Sequence, residues 1–163
     1  MEAARILALR GFKPILFEKR DQLGGQLRLA VKPPYKGKID WIVSYYEERL
    51  RVLNVDIRLN TEATVELVKQ EKPIGVFLAT GSVPNMPESI VGIHGDNVYR
   101  AVDILMGKVR LFGKQAIVVG DGQTGIETAE TLGTFENVVS IIGKGNMIGE
   151  KIYPQNRMDV MSR

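Results

Sequence analysis

The chain has 163 residues, 44% of them hydrophobic, a formal net charge of +3 and a pI of about 9.2. Its lysines and arginines are scattered rather than clustered, which argues against a nucleic-acid surface and for ordinary solvated faces. It has no cysteine, so neither a disulfide framework nor a thiolate-held cluster fits; with no apolar run long enough to span a membrane and no signal-like leader, a cytoplasmic setting is the expectation.

In chain order, residues 2–10 read as a helix with Ala3, Ile6, Leu7 and Leu9 inward, stopped by Gly11. Ile15-Leu16-Phe17 is a buried strand ending in Glu18. Residues 21–34 read mostly as loop, containing Gly24-Gly25-Gln26 and the Pro33-Pro34 breaker. From about residue 38 to 53, Ile39, Ile42, Val43, Tyr46 and Leu50 recur at helical spacing, and Trp41, Tyr45 and Tyr46 are expected to pack on that helix rather than form a stacking platform. Residues 55–59 alternate as a half-buried strand, 64–69 form a short helix, and 75–79 form another buried strand that opens onto Thr80-Gly81-Ser82. Residues 83–112 carry Pro84, Pro87 and several glycines and read as a connection, with a short helix near 102–106. The lone His94 lies in its glycine-rich loop and cannot build a metal site by itself.

The most specific signal follows. Gln115-Ala116-Ile117-Val118-Val119 reads as a buried strand, Gly120-Asp121-Gly122-Gln123-Thr124-Gly125 has the spacing G-x-G-x-x-G, and the residues from Ile126 to Leu132 have helical periodicity. Strand, glycine turn and helix are the context of a dinucleotide fingerprint. Gly120 suits the tight turn, Gly122 the approach of a pyrophosphate, and Gly125 close helix–strand packing. The competing reading is a glycine-rich packing turn. The segment after Gly125 also slides onto the start of the chain without a gap: Glu127 falls on Glu2, Ala129 on Ala4, Leu132 on Leu7, Lys144 on Lys19 and Gly149 on Gly24. In that register the first copy's own strand and glycine turn precede Met1, so the chain reads as a fragment. The expected fold class is α/β, with Rossmann-like dinucleotide-binding units and parallel sheets, incomplete at both ends. The expected divisions are 1–82, 83–112 and 113–163.

The runs Glu2-Ala3-Ala4-Arg5, Leu16-Phe17-Glu18-Lys19, Leu23-Gly24-Gly25-Gln26-Leu27, Leu78-Ala79-Thr80-Gly81-Ser82 and the fingerprint occur in one order and spacing. Together they resemble the C-terminal part of the NADH:flavin oxidoreductases of the 2,4-dienoyl-CoA reductase, 2-enoate reductase and trimethylamine dehydrogenase type. The resemblance implies a partial FAD-binding domain over 1–82 and the start of an inserted NAD(P)-binding domain from 113. FMN and an iron–sulfur cluster belong to a barrel region outside this sequence, a missing domain or subunit that would be its partner. A homo-oligomer through exposed strand edges is a further expectation.

Residue by residue, the resemblance gives Glu18 to the adenosine ribose and Lys19 to the adenine or a phosphate. It gives Gly24, Gly25 and Gln26 to the flavin nucleotide, Ala63 to the adenine edge through its backbone, and Ala79, Thr80 and Gly81 to closure over that nucleotide. Gly120, Gly122, Gln123, Thr124 and Gly125 would hold the pyridine nucleotide's pyrophosphate. Glu127 either lies near the nicotinamide or serves the helix dipole and surface. Gly143 stands where a strand-ending acid commonly bonds a ribose 2′-hydroxyl, and Lys144 follows it. Two readings stand: a site for the 2′-phosphate of NADP, or a weak vestigial site. No proton donor to an enoyl substrate and no nucleophile–base pair is visible, so the cofactors carry the redox chemistry. The implied activity is hydride transfer from NAD(P)H to flavin, serving reduction of an enoate or enoyl substrate or oxidation of an amine. The alternative is a non-catalytic nucleotide-binding module of a larger electron-transfer protein.

Overall fold

The structure is a computed structural model and describes residues 1–162. The chain divides into two compact units, Met1–Val31 with Gly37–Ser82, and Lys32–Lys36 with the chain from Val83 onward.

In the first unit, α1 (Glu2–Leu9) leads into β1 (Ile15–Phe17), followed by α2 (Gln26–Ala30). A single 3-10 turn at Gly37–Ile39 runs into α3 (Asp40–Val52), then β2 (Asp56–Arg58) and α4 (Val65–Gln70). β1 and β2 are parallel, with Ile15 opposite Asp56 and Phe17 opposite Arg58. α1 and α3 pack together, and Ala4, Leu23 and Leu50 form the buried centre, with Leu16 and Ile57 against it. Thr64 caps α4 by accepting the Leu67 N–H at 3.2 Å.

Four expectations change here. On α1, Ala4 is the buried residue, while Ala3 and Leu9 are exposed. The face is chosen by the contact with α3, one position round from the stripe that the helix's own pattern favours. On α3 the inner stripe is Val43 and Leu50, and Trp41 and Tyr45 are exposed at 69% and 51%; Tyr45 rests edge-on against Tyr46 instead. The segment 75–79 is not a strand. Its backbone makes no ladder bond among the described residues, and Phe77 and Leu78 are 70% and 86% exposed. Apolar and β-branched composition favours a strand, but a strand exists only against a neighbour. The expected loop over 21–34 also contains α2, a single short helix of five residues.

In the second unit, α5 (Ala101–Leu105) precedes β3 (Gln115–Val119), α6 (Gln123–Gly133), β4 (Val138–Ile142) and α7 (Pro154–Met161). β3 and β4 are parallel from Gln115 opposite Val138 to Val119 opposite Ile142. The Gly120 N–H extends the ladder to the Ile142 carbonyl at 2.8 Å. Val118 from β3, Leu132 from α6 and Ile104 from α5 form the core. The alternate positions Ile117, Val119, Val138 and Ile142 form an exposed apolar outer face. Buried Asn137, at the turn between α6 and β4, accepts the Lys114 N–H at 2.9 Å and donates to the Leu111 and Leu132 carbonyls, each at 2.8 Å. Among the described residues no helix is long and apolar enough to cross a membrane.

Leu50 is fully buried and Trp41 is not, so truncating each to alanine separates core from surface. Leu50→Ala should cost about 2–5 kcal/mol of unfolding free energy in a urea titration, and Trp41→Ala less than about 0.5 kcal/mol.

Candidate functional site

The glycine turn between β3 and α6 is built by close backbone approach. A Cβ on Gly125 would lie 1.9 Å from the Gly120 carbonyl oxygen, a distance no side chain tolerates. Gly120 itself has φ +117°, a conformation open to glycine. Gly122, the N-cap of α6, has nothing within 4 Å of where its Cβ would be. Two glycines thus close the turn, and the third leaves open space over the helix start. The first-turn N–H groups of Gln123, Thr124 and Gly125 have no acceptor within the helix, and the helix dipole favours an anion there. The donor set and the open cradle fit a pyrophosphate.

Behind that turn lies a polar group that the helix buries. Glu127 is 7% exposed, pairs with Lys36 Nζ at 2.7 Å and accepts from the Gln123 side-chain amide. Lys36 belongs to Lys32–Lys36, the short stretch of the first half of the chain that joins the second unit. Nothing local to either residue links them in the sequence, so this pairing is visible only in the fold. The only signal was the Pro33-Pro34 breaker, which marks a departure from the preceding helix. Thr128 and Thr131 donate back to the Thr124 and Glu127 carbonyls, each at 2.7 Å, which satisfies hydroxyls on the inner side of α6.

At the far end of β4, a Cβ on Gly143 would lie 2.4 Å from Asp121 Cγ and 2.6 Å from Asp121 Oδ2. The Asp121 carboxylate therefore stands directly over Gly143. Lys144 beside it is exposed.

In the first unit the structure gathers some expected residues and leaves others apart. Glu18 follows β1 and continues its ladder, its N–H donating to the Arg58 carbonyl at 3.0 Å. One of its carboxylate oxygens accepts the Arg20 N–H at 2.9 Å. The Thr61 N–H bonds the Glu18 carbonyl at 3.0 Å, which holds the stretch leading to Ala63 beside the end of β1; Ala63 itself is exposed. Lys19 is exposed and makes no ion pair among the described residues. Gly24 has φ +111°, and a Cβ there would meet Arg28 and Val43 at 3.0 and 3.1 Å, whereas Gly25 has φ +47° with open space where a Cβ would be. The Gln26 side-chain amide donates to the Ser82 carbonyl at 3.0 Å, tying Thr80–Ser82 to the Gly24–Gln26 loop. Ala79, Thr80 and Gly81 are exposed. Gly25 and the open side of Glu18 fit a nucleotide's approach, with fewer aligned donors than the glycine turn of the second unit.

Comparison with known proteins places the chain among oxidoreductases. The family described as L-lysine 6-monooxygenase/L-ornithine 5-monooxygenase matches residues 32–143. An NADH oxidase from Thermoanaerobacter brockii is 38% identical over all of this chain and 25% of its own length. A cinnamate reductase from Clostridium sporogenes is 39% identical over 91% of this chain and 22% of its own length. In a solved 2-naphthoyl-CoA reductase complex, 24% of that chain superposes on 99% of this one with a TM-score of 0.90 and 34% identity. The chain spans about a quarter of the length of these proteins.

The Lys36–Glu127 pair yields a stability test. Lys36→Met leaves a buried carboxylate without its cation and should cost about 2–3 kcal/mol, while Lys36→Met combined with Glu127→Gln should recover most of that loss. A double-mutant cycle in urea reads the coupling directly. Equal stability of the single and double variants would show the pair to be idle.

Proposed function

This chain belongs to the L-lysine 6-monooxygenase/L-ornithine 5-monooxygenase family by its matched span, and its relatives set it among the NADH:flavin oxidoreductases of the 2,4-dienoyl-CoA reductase type; from that premise we propose that it is a dinucleotide-binding segment of such an oxidoreductase. On this reading residues 1–82 form a flavin-nucleotide unit, 83–112 a connection and 113–163 the beginning of a Rossmann-like pyridine-nucleotide unit. The observation that carries the proposal is the glycine turn. Gly125 can approach the Gly120 carbonyl only because it lacks a Cβ, and Gly122 leaves the helix start open.

When bound, the pyridine nucleotide supplies a hydride and the flavin accepts it. The chain's own residues hold and orient. The N–H groups of Gln123, Thr124 and Gly125 fix the pyrophosphate, and the end of β4 at Gly143 and Lys144 faces the adenosine side. Glu127 sits one turn into α6 paired with Lys36, so it is fixed in place and its charge is balanced against an approaching phosphate. Glu18 receives ribose hydroxyls through its open carboxylate oxygen, while Gly24–Gln26 and Ala79–Gly81 flank the flavin nucleotide, tied together by the Gln26–Ser82 bond. Lys19 and Ala63 contribute at the adenine.

The relatives run to about four times this length, and on this reading further domains of the enzyme carry the remaining chemistry. Its substrate is of the enoate, enoyl-CoA or amine class, and FMN and an iron–sulfur cluster lie in a separate barrel region. The apolar outer face of the β3–β4 pair supports this reading, because a parallel sheet is ordinarily covered on both faces.

Fluorescence titration with NADH and NADPH tests the nucleotide site. The wild type should bind at least one of them, and Gly125→Ala should weaken binding more than about tenfold by forcing the turn open. Gly133→Ala is the control. Its Cβ meets nothing within 4 Å, so it should leave binding unchanged and add about 0.5–1 kcal/mol of stability. A Gly125→Ala chain that folds and binds as the wild type does would overturn the site.

A further inference from the structure

The second unit combines two features that the nucleotide reading leaves unexplained. A carboxylate, Asp121, sits inside the glycine turn, and a glycine, Gly143, ends the second strand. In dinucleotide-binding units a carboxylate at that strand end commonly receives the adenosine ribose 2′-hydroxyl. Here the strand end has no side chain, and the space at its root is filled. A Cβ on Gly143 would fall 2.4 Å from Asp121 Cγ, 2.6 Å from Oδ2 and 2.7 Å from Cβ. The Asp121 side chain thus occupies the position from which a residue at 143 would project. No side chain larger than hydrogen fits at 143 while Asp121 stands there.

Nothing else in the structure explains the carboxylate. Asp121 is half-buried, yet it accepts no hydrogen bond and makes no ion pair among the described residues. It does not cap α6; Gly122 holds that position, with no side-chain cap. An acid within a phosphate-binding turn would repel a pyrophosphate if it pointed into the cradle. This one points away from the cradle, across to the end of β4.

Building on the proposed pyridine-nucleotide site, we infer that Asp121 is the specificity-determining carboxylate of that site. It accepts the ribose 2′-hydroxyl from the glycine turn instead of from the strand end, and it selects NAD over NADP. A free 2′-hydroxyl donates to a carboxylate, whereas a 2′-phosphate is a second anion against it. Lys144, the cation that pointed towards NADP in the sequence, is exposed and one residue further on. The acid lies directly against the strand end at Gly143 and decides the preference. Gly143 has its own role in this arrangement: it makes room for the transplanted acid.

The test is titration of NADH and NADPH, followed by nucleotide fluorescence at matched moderate salt, into the wild type, Asp121→Asn, and the swap Asp121→Gly with Gly143→Glu. The wild type should bind NADH about fivefold or more tightly than NADPH, the scale of one partly exposed charge contact. Asp121→Asn keeps the shape and removes the charge, and should bring the two affinities within about twofold, mainly through tighter NADPH binding. The swap returns the acid to the strand end and should restore the NADH preference. If it does not fold, the Asp121→Asn ratio decides alone. A wild type that prefers NADPH, or an Asp121→Asn variant with an unchanged ratio, overturns the assignment of Asp121 and leaves the nucleotide site standing. Binding of neither nucleotide overturns the site itself and the assignment with it.

Discussion

The second unit depends on one close approach, that of Gly125 to the Gly120 carbonyl. Because Gly125 has no Cβ, the first turn of α6 packs directly on the end of β3, and the N–H groups of that turn point into open space beyond Gly122. The same approach fixes where α6 runs. Its apolar side, through Leu132, then meets Val118, and the turn at Asn137 returns the chain to lie parallel to β3. Asn137 secures that return with three hydrogen bonds to backbone groups, one in α6 and two in the segment that leads into β3. A buried amide with both ends satisfied fixes the connection more firmly than an apolar residue would, since loss of one partner leaves the others unpaired.

The second consequence is electrostatic. An acid one turn into a helix that is to receive phosphates is unfavourable unless its charge is balanced. Lys36 balances it from a segment far away in sequence, and in doing so draws Lys32–Lys36 onto the second unit while the residues on either side belong to the first. Burial makes the pair matter. An exposed pair of this kind contributes little, but an uncompensated buried carboxylate is costly. The short stretch is thus held in place by the charge it neutralises.

How much of this was legible in the sequence follows from how local each cause is. The strand, glycine turn, helix and strand of 115–142 were readable because each signal is short-range: β-branched residues, glycine spacing, helical periodicity. The two halves of α3 that carry Val43 and Leu50 were readable for the same reason. The buried face of α1 was misread by one position, because α3 selects it. The apolar run 75–79 has the composition of a strand without being one, because composition says nothing of whether a neighbouring edge exists. The Lys36–Glu127 pair and the placing of Asp121 over Gly143 were invisible, since both join residues that only the folded backbone brings together. In the first unit, Glu18 was legible as a strand end, while the tie between Gln26 and Ser82 was not.

In the proposed function the start of α6 receives a pyrophosphate. Heteronuclear NMR of the chain with NADH added reads this at single-residue resolution. The largest changes in amide shift should fall on Gly122, Gln123, Thr124 and Gly125, with smaller ones at Asp121 and Gly143. Changes confined to other segments, or none at saturating nucleotide, would contradict it.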